Sequence, residues 1–163
     1  MKRELASQYR AALKMLRQTI ERCPDWLWND QAYENVYWRI AYHTLHYTNL
    51  YLAENPDVFM PWAKHLPNYH RLGQVLSPEQ TAEHILYSKV DLFAYGLDIS
   101  NSVESRLEAQ DLTEGSGFDW LRMNKLELHL YNIRHIQHHT GQLIERLHQH
   151  GIKGIDWIDT DRD

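Results

Sequence analysis

In the stretch LYNIRHIQHHTGQL, His135 and His139 stand four residues apart. On a helix that spacing sets two imidazoles about 40° apart around the axis and ~6 Å along it. Two rings so placed reach one ion, and a catalytic metal site takes a third protein ligand from another element. His43 is the candidate, because it falls in the stripe Val36, Ile40, His43, Tyr47, Leu50, whose three- and four-residue spacing marks a buried helix face. An unpartnered ring there costs on the order of 1–3 kcal/mol, so a hydrogen bond to a neighbouring helix or a shared ion has to satisfy it. Three inward histidines favour the ion. Neutral imidazoles leave a divalent ion its full charge and an open position, the arrangement of catalytic rather than structural zinc.

The neighbours of these rings have two readings each. Asn132, one turn before His135, and Gln142, one turn after His139, are either partners to the site or ordinary contacts between helices. Tyr47, one turn along from His43, is either a pocket wall or plain core. His129 lies in the apolar arc of Leu126, Leu130, Ile133 and Leu147 and is core or a support to the site. His46 is turned about 60° from His43, in line with Arg39, Tyr42 and Asn49, and reads as a boundary residue. His138 points away from the apolar arc and reads as solvated.

Other chemistries fit less well. Glu145 and His148 form a single Glu-x-x-His facing away from His135 and His139, where a di-iron bundle needs the motif twice with two further inward Glu. A bis-histidine haem takes one ring from each of two helices on opposite sides, which a same-side pair does not supply. No serine or cysteine stands beside an inward histidine as a nucleophile, and Cys23 ends a helix stripe as a core residue.

The elements that carry these residues are helices. The chain has 163 residues with 11 His, six Trp and ten Tyr, but only seven Gly and five Pro. That length makes one domain, residues 1–163, the default. A formal charge of -5 offers no field for nucleic acid or anionic lipid, and no apolar run approaches the roughly 20 residues of a membrane span. A lone cysteine excludes a disulfide framework and suits a reducing cytoplasm, and the N-terminal stretch reads as mature helix with no export signal. Four periodic segments are expected near 2–22, 31–54, 78–109 and 118–149, with Pro24 ending the first and Ser77-Pro78-Glu79-Gln80 starting the third.

No strict alternation and no hairpin signal appears, so the class is all-α, a four-helix bundle. The long Asn55 to Leu76 connection implies parallel second and third helices and an up-down-down-up order. Its Phe59, Trp62 and Tyr69 suit a partner surface or a lid. The tail 152–163 is expected to pack Trp157 on the outside.

YWRIAYHTLHYTNLYL in the second segment and LYNIRHIQHHTGQL in the fourth resemble the two signature helices of the DinB-like (DinB/YfiT) family. His43 matches the family's histidine in its second helix. His135 and His139, followed by Gly141 and Gln142, match its His-x-x-x-His. The resemblance implies a left-handed bundle with a three-histidine divalent metal site holding zinc, nickel or iron. It implies a small-molecule substrate with a thiol cosubstrate, since characterised relatives include bacillithiol S-transferases and mycothiol-dependent isomerases, and, with the Trp and Tyr content, a homodimer. Metal-activated water or thiol then serves as nucleophile in a transferase or hydrolase. The alternative is a bundle whose metal only stabilises or senses. No catalytic acid or base is identified by helical phase.

Overall fold

The computed structural model describes residues 1–74, 77 and 87–161. Among these the chain is all-α. It forms α1 (Lys2–Arg22), α2 (Asp25–Trp28), α3 (Tyr37–Tyr51), α4 (Lys89–Glu108) and α5 (Lys125–Gln149), with a 3-10 turn at Pro56–Val58. No helix among the described residues is long and apolar enough to cross a membrane.

The first segment has its expected bounds, because Pro24 drives the preceding Cys23 into an extended conformation (φ -66°, ψ 121°). Cys23 is buried in the core. The second segment is shorter than 31–54. Asp30 Oδ1 accepts from the Ala32 N–H and Asn29 Oδ1 from the Trp38 indole, and such side-chain bonds hold the preceding residues in turns until Tyr37. At its far end Pro56 has no N–H to offer the Leu52 carbonyl, which accepts instead from Arg106 and Gln110.

Of the third segment, expected over 78–109, the described residues form a helix over Lys89–Glu108. Tyr87 and Ser88 are not helical, and the Ser88 hydroxyl caps α4 by accepting from the Asp91 N–H at 3.1 Å. The start signal read at Pro78 lies outside the described residues. The fourth segment, expected from Phe118, begins at Lys125 with Asn124 as cap, accepting from the Glu127 N–H at 2.9 Å. Residues 116–121 turn about the Ser116 hydroxyl instead, which accepts from the Phe118 N–H and donates to the Leu121 carbonyl.

α1 packs against α4 and α5, and α3 packs against the same two helices. Leu13, Leu16 and Ile20 of α1 meet Ile40 and Leu45 of α3, Leu92 and Val103 of α4, and Ile136 and Leu143 of α5 in one core. The linker after α3 folds onto it. Trp62 stacks on Tyr95 with 4.7 Å between centroids, Tyr69 is buried against Trp38, and Phe59 meets the His46 ring. The aromatic residues expected to form a partner surface or lid are therefore taken up largely in packing. Arg39 of α3, itself buried, clamps this linker by donating to the carbonyls of Gln74 (2.6 Å), Tyr69 (3.4 Å) and Arg71.

The tail lies along α1, where Gln8 and Arg10 donate to the carbonyls of Asp159 and Asp161. Ile152 and Ile155 at its start also pack, partly buried, against the core. Trp157 is 76% exposed, contrary to its expected packing.

A candidate metal centre of three histidines

α3 carries His43 and α5 carries His135 and His139 to a common point. Their ring centroids are 5.0 Å (His43–His135), 4.6 Å (His43–His139) and 4.7 Å (His135–His139) apart. One nitrogen from each ring lies within 4.8 Å of the other two. His43 Nε2 and His135 Nε2 face one another at 3.1 Å. Two nitrogens at tetrahedral positions around zinc stand about 3.3 Å apart, so the pair is already close to bridging spacing.

Partners of the outer nitrogens decide where the protons sit. The His70 carbonyl can only accept, so His43 Nδ1, 2.6 Å from it, carries the hydrogen and Nε2 presents a lone pair to the site. The Gln142 amide oxygen, 3.1 Å from His139 Nδ1, orients that ring in the same sense. With a lone pair on His43 Nε2, the hydrogen between the two rings sits on His135 Nε2, which donates to His43, and His135 Nδ1 is left buried without a partner. A cation takes the place of that hydrogen when His135 carries its own on Nδ1, and the donor set fits a divalent ion.

Burial keeps these rings neutral, which is the form that binds metal. Desolvation pushes His43 down to about 4 and His135 to about 3, with the neighbouring imidazoles adding to the effect, and it lowers His139 as well.

The surrounding residues divide clearly. Gln142 is at the site through His139. Asn132 donates from Nδ2 to the Thr48 carbonyl at 3.2 Å and so ties α5 to α3, with no hydrogen bond to a ring of the triad. Tyr47, half-buried, stands with its ring 4.8 Å from His43 and 5.9 Å from His135, a wall beside the triad. His138 is exposed. His46 is not at a boundary: the linker covers it, leaving it 5% exposed. The residues that sequence reasoning passed over are His70 and Arg39. The first supplies a backbone carbonyl from a loop without periodicity, a contribution that carries no sequence signal.

His129 belongs to the core rather than the site. Fully buried, it accepts from the Tyr9 hydroxyl at Nδ1 and donates from Nε2 to Gln110 Oε1, each at 3.0 Å. Desolvation lowers its pKa to about 4, with Lys125 and Arg106 adding to the shift. Below the unfolded value near 6.5 the unfolded chain binds the proton first, so stability falls with pH between about 6.5 and 4 and levels off beneath. At pH 5 this one ring accounts for about 2 kcal/mol of lost stability. Urea titrations at pH 7 and pH 5 check it: His129→Gln should flatten the difference by about that amount, and an unchanged difference would contradict the assignment.

No protein-family model, no curated protein and no solved structure matches the chain.

Proposed function

We propose that the chain is a metal-dependent enzyme of the DinB-like family, in which His43, His135 and His139 hold one zinc, nickel or iron ion. In this reading it transfers or hydrolyses on a small-molecule substrate, with water or a low-molecular-weight thiol as nucleophile. The convergence of three neutral rings, two with outer nitrogens already hydrogen-bonded, carries the reading.

The reading includes a four-helix bundle in up-down-down-up order, supported by contacts between helix ends. Lys2 donates to the Glu108 carbonyl, joining the start of α1 to the end of α4. Tyr9 meets His129, joining the start of α1 to the start of α5, while Tyr37 donates to the Thr19 carbonyl and joins the start of α3 to the end of α1.

His43, His135 and His139 would hold a divalent ion, whose chemistry there would be to make water or a small thiol more acidic and so more nucleophilic at neutral pH. The chain's own residues orient and enclose. The His70 carbonyl and Gln142 hold two rings in the ligating tautomer, and Tyr47 walls one side. Burial raises the Tyr47 hydroxyl above its ordinary range, so at neutral pH it is a hydrogen-bond donor rather than an anion.

A non-catalytic metal-binding bundle is the second reading. It is favoured by the partners of the triad, a backbone carbonyl and an amide, neither of which is an acid or a base.

Metal analysis of untagged protein tests the site. His139→Ala should lose the ion and His138→Ala should retain it; equal loss in both refutes the triad. Adding cysteine or glutathione to cobalt-loaded protein then tests the nucleophile, since a thiolate on cobalt produces a near-ultraviolet charge-transfer band. A band together with consumption of an alkyl halide favours the enzyme. Neither signal with any small thiol leaves the non-catalytic reading.

A further inference from the structure

A second group of three histidines lies beside the first. His46 comes from α3, three residues after His43, while His65 and His70 come from the linker. One nitrogen from each lies within 4.8 Å of the other two. The His46 ring lies 5.1 Å from His65 and 4.1 Å from His70 between centroids, with planes inclined by 24° and 18°. His46 is 5% exposed, and its Nδ1 has no hydrogen-bond partner. His70 Nδ1 is also buried without one. Two such nitrogens in one cluster are unusual in a folded chain, where nearly all buried polar atoms are paired.

The third ring has its lone pair assigned by a chain of donors. The Tyr87 hydroxyl donates to the Lys64 carbonyl at 2.7 Å, so it can only accept from the Tyr42 hydroxyl with which it is hydrogen-bonded. Tyr42 has then used its only proton and accepts from His65 Nδ1 at 2.6 Å. His65 therefore keeps a lone pair on Nε2. Three uncharged nitrogen donors with no carboxylate among them suit a cation that takes imidazole ligands, and do not suit an anion or a hard ion such as magnesium.

We propose that His46, His65 and His70 form a second divalent-metal site, for zinc, nickel or copper, which pins the linker to α3. The near-parallel rings do not converge as they stand, because a metal lies close to the plane of each imidazole it binds. Convergence requires rotation about Cβ–Cγ, a broad torsion, in His46 and His70, whose Nδ1 atoms hold no hydrogen bond for the rotation to break, while His65 stays on Tyr42. That rotation makes the second site the weaker of the two. An ion there also holds His70, whose carbonyl orients His43, so the sites are mechanically joined while their ligands are distinct.

Calorimetric titration of zinc into untagged, chelator-stripped protein at about pH 7.5 tests the proposal, since imidazole is neutral there. Wild type should take two ions per chain, a tight one followed by a weaker one. His65→Gln should lose the weaker equivalent and His139→Ala the tighter. Circular dichroism melting of the zinc-free variants checks folding, and His70→Asn serves in place of His65→Gln if that variant does not fold. A single equivalent that disappears with His139→Ala and persists in His65→Gln overturns the second site and leaves the first standing. A single equivalent with the opposite dependence supports the second site and overturns the first. No binding at all overturns both.

Discussion

Zinc added to the stripped protein should raise its melting temperature by about 8–16 °C when free zinc is about 1,000 times its dissociation constant. An ion that binds only the folded chain at that ratio adds about 4 kcal/mol. For a chain of this size each kcal/mol moves the midpoint by about 2–4 °C. Differential scanning calorimetry with and without chelator checks it. The larger part of the rise should vanish in His139→Ala and survive in His138→Ala, because only the former ring points at the common centre. Acidification should remove the rise as well, since a protonated imidazole has no lone pair to give. Identical melting curves with zinc and with chelator at neutral pH would count decisively against a metal at these residues.

Arg39→Ala should cost about 3 kcal/mol and weaken zinc binding at the triad by about 10–100-fold. Arg39 is buried and donates to three linker carbonyls, those of Tyr69, Arg71 and Gln74. Charge-assisted bonds are worth about 1.5–3 kcal/mol each, and the loss is reduced because burying the guanidinium itself is unfavourable and water reaches the freed carbonyls. His70 sits between two of the clamped residues, and its carbonyl holds the tautomer of His43. Loosening the clamp therefore reaches the metal through one backbone atom. Arg39→Lys should restore only part of both losses, since an ammonium lacks the planar fork that serves separated acceptors. Urea denaturation gives the first number and competition against a chelator the second. A variant with full stability and unchanged zinc affinity would show that the linker is held by other contacts.

Much of the helical content was legible in the sequence, and its errors are instructive. α1 follows its stripe to Pro24 because a proline acts through its own covalent geometry. The expected starts of the second and fourth segments were early by six and seven residues. In both places short polar side chains, Asn29 and Asp30 in one and Ser116 in the other, bond to local groups and hold the chain in turns. Helical phase was also blind to covering by a loop. His46 reads as a boundary residue on a bare helix and is buried because residues 59–70 fold over it.

What the sequence by itself determined is the pairing of His135 with His139, because four residues is close to one helical turn and nothing outside the helix is needed to bring two such side chains to the same face. It determined as well that the class is helical. What only the tertiary structure decided is the company those rings keep. The approach of His43 to within 3.1 Å of His135 depends on how α3 packs on α5. The proton positions depend on a carbonyl at His70 that no side-chain pattern encodes. The second histidine cluster depends on a linker whose path is set by Arg39 and by stacked aromatic rings, contacts among residues distant in the chain, and local periodicity holds no information about those.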